Sequence, residues 1–188
     1  MNDIRLVELT SEEAKLYKDD IIKFTKEKFG DDPVVVEGED LSSYFKAGSY
    51  EGWIEQLNYE KTLTLTEEAV PSITFVGVRS IDDKIVGSVT IRSKLNEKAS
   101  IFGGHIGYDV RPSEQGKHYG SKLLGLSLDY VSTNLDLERV LLTCDKTNVA
   151  SASIIENNGG VLETEILEPN GNVIQHYWID VPKIDKQR

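Results

Sequence analysis

The segment at residues 110–124, VRPSEQGKHYGSKLL, places the strongest constraint on the fold. An apolar stretch ends at Val110, a loop with glycines on either side of Lys117 and His118 follows, and a helical pattern begins directly afterwards. A strand that enters a helix through such a loop forms half of a crossover unit, and the strand after the helix then tends to run parallel to the first. The segment therefore favours a parallel pair inside a mixed sheet with flanking helices.

The first part of the chain predicts a strand followed by helices. Residues 4–9, IRLVEL, alternate as an edge strand does. A helix capped by Thr10 or Ser11 follows, with apolar residues at helical spacing: Ala14, Tyr17, Ile21, Phe24 and Phe29. Residues 34–40 have a loop-like composition. Residues 41–61 predict one or two short helices, whose aromatic side chains either pack in the core or line a substrate pocket.

The second part of the chain has the texture of strands. Residues 73–80 and 85–93 predict a hairpin, and residues 99–110 predict a third strand whose glycines indicate a bulge or a close approach to the backbone. A helix, a strand, a helix and a closing strand pair follow at residues 119–135, 138–145, 148–160, 161–167 and 173–181. The order is β-α-α-β-β-β-α-β-α-β-β. We expect one α/β (α+β) domain over residues 1–188, with a mixed central sheet of about seven strands.

Charge and hydropathy exclude several functional classes. The net charge of −11 argues against a nucleic-acid partner, because phosphate binding needs a basic surface. No apolar run approaches the length of a membrane span, and the start of the chain, MNDIRLVELT, lacks the pattern of a signal peptide. We therefore expect a soluble cytoplasmic protein with no membrane partner. Its one cysteine, Cys144, has no second cysteine with which to form an internal disulfide.

The loop before the predicted helix at residue 119 has the features of an anion site. Backbone N–H groups at a helix start are unpaired and point the same way, and the positive end of the helix dipole attracts an anion. Residues 115–120 are therefore candidates to receive phosphate. The dinucleotide and P-loop glycine patterns are both absent from the sequence. The alternative is a tight strand-to-helix turn without a ligand.

Two linked motifs carry a family resemblance. QGKHYG resembles the Q/R-x-x-G-x-G/A element with which GCN5-related N-acetyltransferases hold the pyrophosphate of acetyl-coenzyme A, and NVASASIIENNGG resembles their N-x-x-S/A segment. Matching runs cover residues 73–180 and are most similar to a bacterial branch of predicted acetyltransferases. The resemblance implies the GNAT-like fold, acetyl-CoA as co-substrate and no metal. The sequence itself shows no cluster with metal-ligand spacing.

The resemblance also implies which residues bind the cofactor. The pyrophosphate loop would comprise Gln115, Gly116, Lys117, His118, Tyr119 and Gly120. The backbone of Val110 would contact the pantetheine arm, while Asn148 and Ser151 would lie near the amide or thioester end. His118 stands where the family pattern has glycine, so its side chain either points to solvent or approaches the phosphates.

The reaction implied is direct attack of an amine on the thioester, which needs a base for the amine and a proton source for the leaving thiolate. The candidate bases are His105, Tyr108, Asp109 and Glu114. We favour His105, because an unperturbed imidazole titrates near working pH; the alternative is a structural histidine bonded to backbone. The usual acid, a tyrosine, is replaced by Ile155, which leaves Ser151, Tyr108 or water to protonate the sulfur.

Other reactive side chains have simpler interpretations. We expect Cys144 to be a small buried hydrophobe and His176 to be a sheet residue. Arg92 either reaches a substrate carboxylate or pairs with surface acids, and we favour the latter.

The function predicted is an N-acetyltransferase acting on a small-molecule or amino-acid-like amine, with homodimer formation possible. The acidic surface would favour cationic acceptors by steering. The alternative is a coenzyme-A-binding sensor or regulatory module without efficient catalysis.

Overall fold

A computed structural model describes residues 3–30 and 43–182. The strands are β1 (Ile4–Glu8), β2 (Ser72–Arg79), β3 (Ile85–Arg92), β4 (Ile106–Val110), β5 (Arg139–Asp145), β6 (Val161–Leu167) and β7 (Val173–Asp180). The helices are α1 (Lys18–Phe29), α2 (Ser43–Ala47), α3 (Tyr50–Thr62), α4 (Glu97–Phe102), α5 (Tyr119–Asn134) and α6 (Val149–Asn157). The α+β class and the seven strands are confirmed. The predicted loop at residues 34–40 lies outside the described residues.

The first helical region forms as its capping and packing residues predict. The Ser11 hydroxyl accepts a hydrogen bond from the Ala14 N–H at 3.2 Å, and a short 3-10 turn leads into α1. Helices α2 and α3 lie where the sequence predicted one or two short helices. Trp53 is fully buried there, with the rings of Tyr44 and Tyr50 packed edge-on against it at centroid distances of 5.6 Å and 6.1 Å. These three aromatic side chains therefore pack in the core, whereas Tyr59 is 66% exposed.

The strands form two sheets instead of one continuous mixed sheet. The orders are β1-β2-β3-β4 and β5-β7-β6, and every ladder between described strands is antiparallel. The sheets meet where the His105 N–H donates to the Leu141 carbonyl at 2.7 Å and the Leu141 N–H donates to His105 Nδ1 at 2.9 Å. The predicted parallel ladder between β4 and β5 does not form, because the two strands separate after this contact.

The predicted third strand is wrong over its first half. Residues 97–102 form α4, because the Asn96 side chain caps the helix by accepting from the Ala99 N–H at 2.8 Å. The glycines at 103 and 104 form the turn that follows, and Gly104 has a φ of 65°. Of the two alternatives that the glycines indicated, the bulge is absent from β4, whose register with β3 is continuous from Ile106 to Val110. The close approach to the backbone is present at Gly104, where a Cβ would lie 2.5 Å from the Leu141 carbonyl oxygen.

Helices cover both faces of the four-stranded sheet. Helices α1 and α3 cover one face, where the cluster includes Val7, Phe24, Trp53, Val76 and Val78. Helix α5 covers the other, where the core continues into the second sheet and includes Val86, Leu123, Leu142, Ile155 and Tyr177. Within the described ranges, every helix is too short or too polar to cross a bilayer. The cleft between β4 and β5 interrupts this core.

Candidate active site

Two cavities meet between the separated strands. The first, which we term the loop cavity, has a volume of about 890 Å³ and lies among β4, the loop before α5, and α6. The second, the α4 cavity, has a volume of about 310 Å³ and lies between β4 and β5 on the side of α4. Four residues line both cavities: Tyr108, Asp109, Asn148 and Ser151. The two spaces therefore join at the ends of β4 and α6.

The loop cavity faces unpaired backbone donors. Gly116 and His118 have φ values of 75° and 62°, and this left-handed backbone turns the chain into α5. In the described structure the Gln115 N–H donates to the Pro112 carbonyl at 3.3 Å, whereas the N–H groups of residues 116–121 have no acceptor. These donors lie at the positive end of a 16-residue helix. This arrangement of donors is one that can bind an anion.

Most of the residues predicted to bind the cofactor line this cavity. They are Val110, Gln115, Gly116, His118, Tyr119, Gly120, Asn148 and Ser151. Lys117 is the exception: its amine donates to the Ser113 carbonyl at 3.1 Å and to Glu114 at 2.9 Å. The Lys117 charge is thus directed toward Glu114 and does not line the cavity. At Gly120 a Cβ would lie 2.6 Å from the Ile154 side chain, so the glycine allows α5 and α6 to pack closely.

A buried carboxylate supports the loop from below. Glu114 is only 2% exposed and accepts from Arg79 at 2.8 Å, from Lys84 at 2.5 Å and from Lys117. Burial by itself would raise the pKa of Glu114, but the hydrogen bonds from Lys84 and Lys117 and the charge of Arg79 lower it to about 2. A carboxylate with so low a pKa and three cationic partners is a poor general base. The contacts of Glu114 therefore indicate a structural role.

Helix α1 holds the loop from the side, which the sequence did not predict. Arg111, almost fully buried, donates to Asp20 at 2.9 Å and to Glu27 at 2.7 Å. Glu27 also accepts from the Ser113 N–H at 2.6 Å. Asp20 and Glu27 fit the pattern of a solvated helix face, and their shared partner Arg111 is more than 80 residues away in sequence. Periodicity alone therefore gave no signal for this clamp.

Lys28 is a second contribution from α1. It lines the loop cavity and forms an ion pair with Asp109, which lines both cavities. The pair places one positive and one negative charge at the junction of the two spaces. Asp109 was among the candidate bases, while Lys28 was not singled out from the sequence.

Tyr108 and Ser151 form the polar centre of the junction. The Tyr108 hydroxyl is 2.9 Å from the Ser151 Oγ and 3.3 Å from the Ser151 carbonyl oxygen. The Ser151 N–H in turn donates to the Asn148 side chain at 3.0 Å, which caps α6. Burial raises the pKa of Tyr108 to about 12. The phenol therefore stays protonated at neutral pH and is available as a hydrogen-bond donor.

His105 lies at the joint between the sheets and is not among the residues that line the two cavities. Its Nδ1 accepts from the Leu141 N–H, and its ring packs near Trp178 at a centroid distance of 6.2 Å. Burial, together with the nearby charge of Arg92, lowers the pKa of His105 to about 4. This geometry favours the alternative left open from the sequence, a buried histidine bonded to backbone. It gives the base hypothesis no support.

The structure also locates the other residues considered from the sequence, which are Cys144, His176, Ile155 and Arg92. Burial raises the pKa of the Cys144 thiol, which lines the α4 cavity and stays protonated. His176 Nε2 is 2.8 Å from the Ile101 carbonyl and connects β7 to α4, as expected of a sheet residue. Ile155 is fully buried in the core, and Arg92 lines the α4 cavity.

Among the residues that the structure describes, no strand pairs with the outer edge of β4, where the Gln115 side chain donates to the Val110 carbonyl at 3.5 Å. On its inner edge the Arg111 N–H donates to the Val86 carbonyl and the His105 carbonyl accepts from the Arg92 N–H, each at 2.8–2.9 Å. Because the side of bonding alternates along a strand, the backbone groups of Tyr108 and Val110 face the cleft. They have the arrangement that an extended ligand needs to pair like an added strand.

A family model for the acetyltransferase (GNAT) domain matches residues 18–161. The chain belongs to the GNAT acetyltransferase family. This match confirms the predicted family and the transferase class. The residues that join the two cavities, Tyr108, Asp109, Asn148 and Ser151, all lie inside the matched range.

Solved structures share the fold of this GNAT acetyltransferase at low sequence identity. Spermidine N-acetyltransferase from Vibrio cholerae in complex with CoA and spermine is 16% identical, with a TM-score of 0.61 and coverage of 96% of this chain and 97% of that chain. A dodecameric structure of the Vibrio enzyme is 18% identical, with a TM-score of 0.61 and full coverage of both chains. A GNAT-family acetyltransferase from Streptococcus pneumoniae is 15% identical, with a TM-score of 0.61 and coverage of 95% and 99%. No curated protein matches the sequence significantly.

Proposed function

We propose that this GNAT acetyltransferase moves an acetyl group from acetyl-CoA to the amine of a small-molecule acceptor by direct attack. The observation that carries the proposal is the joining of the two cavities at Tyr108 and Ser151, with unpaired backbone donors at the far side of the larger one. One space accommodates a long phosphorylated cofactor, and the other accommodates a small acceptor.

The chain's own groups suit each part of acetyl-CoA. The N–H groups of residues 116–121 would bind the pyrophosphate, and α1 and Glu114 keep their loop in place. The open edge of β4 at Val110 would pair with the pantetheine amides. The thioester would then lie at the junction beside Tyr108 and Ser151.

The proposed reaction uses no metal and forms no covalent intermediate with the enzyme. The acceptor enters from the α4 cavity as an ammonium ion and loses one proton to Asp109, directly or through water. The lone pair of the resulting neutral amine forms the new C–N bond, and a backbone N–H on the open edge of β4 stabilises the oxyanion. The nitrogen then releases its second proton to solvent as the C–S bond breaks. Tyr108, supported by Ser151, donates a hydrogen bond to the leaving thiolate, which solvent protonates.

The comparisons support an amine as acceptor. The Vibrio cholerae enzyme is a spermidine N-acetyltransferase whose structure was solved with CoA and spermine, and another of its structures is a dodecamer. We include self-association of this chain and a cytoplasmic location, where acetyl-CoA would be available, in the proposal. Nothing in the family match or the cleft favours the non-catalytic module. Within the described residues, no group of three or more His, Cys, Asp or Glu side chains is placed to hold a metal ion.

A pair of neighbouring substitutions on α6 tests the proposal. Ala150 lines the loop cavity, so Ala150→Trp would fill it, while Val149 is 69% exposed and Val149→Trp serves as the control. We expect Ala150→Trp to weaken CoA binding at least about tenfold in a thermal-shift titration and to lower thiol release from acetyl-CoA over a panel of amines. Equal binding by the two variants would contradict the proposed cofactor site. Absence of thiol release with every amine would reject the transferase.

A further inference from the structure

Arg92 is one of the residues that line the α4 cavity. It is the last residue of β3, and its N–H donates to the His105 carbonyl at 2.8 Å, which fixes its backbone beside β4. One guanidinium nitrogen lies 3.9 Å from the point that a Cβ on Gly107 would occupy. The charge of Arg92 also contributes to lowering the pKa of His105, after burial. The Arg92 guanidinium therefore lies beside Gly107 of β4, in the wall of the α4 cavity.

The α4 cavity carries charges of both signs. Arg92 of β3 supplies a cation near Gly107 of β4. Asp109, two residues after Gly107 on β4, supplies an anion. Two residues of strand span roughly 6.6 Å, a separation that a short zwitterion can bridge. Three hydroxyl side chains, those of Ser88, Thr90 and Thr143, complete a polar lining.

Few negative charges in this cavity are left to hold a polycation. Asp109, which also pairs with Lys28, can face one acceptor amine, and Asn172 donates to the second acid of the lining, Asp145, at 2.7 Å. A second ammonium group on the acceptor would lie close to the Arg92 guanidinium, and like charges in a partly buried site repel. The lining therefore favours an acceptor with one amine and one anionic group.

We propose that the acceptor is an amino carboxylic acid whose carboxylate binds Arg92 while its amine lies between Asp109 and Tyr108. This inference rests on the proposed function and adds the substrate class and a specificity-determining residue. A guanidinium carries five N–H donors and can take a carboxylate through two of them while keeping other partners. The cavity volume of about 310 Å³ suits a molecule the size of an amino acid.

The test compares acceptors that differ only at the carboxylate. Thiol release from acetyl-CoA is measured for L-amino acids, for the corresponding carboxamides, and for the decarboxylated amines, with spermidine as the polycation. We expect the acids to have a kcat/KM about 10 to 100 times that of their carboxamides, the ratio typical of a charge-assisted hydrogen-bond pair. Spermidine is expected to be a poorer acceptor than the acids.

Substitutions of Arg92 locate the preference. We expect Arg92→Gln to reduce the ratio of acid to carboxamide kcat/KM to about 1, mainly through the KM of the acid, and Arg92→Lys to restore it in part. Lys94→Gln removes an equal charge from an exposed position nearby and should keep the full ratio. Each enzyme is also titrated with CoA by thermal shift, because a folded variant retains that response.

The outcomes separate this inference from the proposed function. Thiol release that is indifferent to the carboxylate, or a preference that survives Arg92→Gln, would refute the inference and leave the transferase standing. Faster turnover of spermidine than of any amino acid would do the same. No release with any acceptor would refute both.

Discussion

Replacement of Tyr108 by phenylalanine tests the chemistry at the junction. The substitution removes one hydroxyl from a side chain that otherwise keeps its packing, and it leaves the Ser151 Oγ without its partner at 2.9 Å. With a pKa of about 12, the phenol is a weaker acid than an ordinary thiol by roughly 3.5 pKa units. Complete proton transfer to the thiolate is therefore unfavourable by about 5 kcal/mol. In the proposed mechanism, Tyr108 would therefore donate a hydrogen bond to the thiolate and keep its proton.

A hydrogen bond to a charged acceptor contributes about 1.5 to 3 kcal/mol. If the bond forms only as charge develops on sulfur, its loss should lower kcat about 10-fold to 150-fold with little change in the KM for acetyl-CoA. Since the phenol does not ionise until about pH 12, the decrease should be constant from about pH 6 to pH 10.

The assay is steady-state thiol release as a function of pH, with acetyl-CoA and acceptor varied separately. Tyr130→Phe is the matched control, because it removes a hydroxyl from another half-buried tyrosine, one that packs against Phe75. A Tyr108→Phe enzyme with unchanged kcat would refute the assigned role. A defect confined to the KM for acetyl-CoA would show that Tyr108 binds the cofactor and takes no part in the departure of the thiolate.

Two further predictions concern stability. Because the pKa of Glu114 is about 2 in the folded protein against an ordinary value near 4.5, its stabilising contribution is full above about pH 4.5 and is lost as pH falls toward 2. Glu114→Gln should therefore lower the Tm at pH 7 and match wild type near pH 2; an equal difference at all pH values would contradict this. His105→Ala leaves the buried Leu141 N–H without its acceptor and should cost about 1 to 3 kcal/mol in chemical denaturation, while His105→Asn should recover part of it. Since the folded pKa of His105 is lowered to about 4, wild type should lose stability between about pH 6.5 and pH 4 and the alanine variant should lack that component; a variant as stable as wild type would contradict the role of His105 at the joint.

Local chemistry predicted much of the fold. The Ser11 cap, the hairpin of β2 and β3, and the apolar face of α5 each depend on residues close in sequence, and each formed where expected. The missed helix α4 had a local signal in Asn96, a good N-cap, with Gly103 at its end. The apolar run from Ile101 toward the strand concealed it, because short apolar runs fit either structure.

The site was predictable only where its residues are consecutive. The loop from Gln115 to Gly120 and the Asn148 cap carry their geometry in the local backbone. The orientation of Lys117 depends on Glu114, whose other cations come from the hairpin of β2 and β3. Glu27 acts through a contact 84 residues away in sequence. Such pairings are set by tertiary packing, so periodicity could not reveal them.

The open edges of β4 and β5 have a consequence for the protein between catalytic cycles. Unpaired strand edges are templates for unwanted association with other chains, and in the described part of the chain β4 and β5 each have one edge without a partner strand, apart from the contact of Leu141 with His105. A cofactor that pairs with one edge would also stabilise the native state in proportion to its free concentration. Acetyl-CoA would thus protect the fold as well as supply the acetyl group, and the level of this enzyme in a cell should follow the supply of its cofactor.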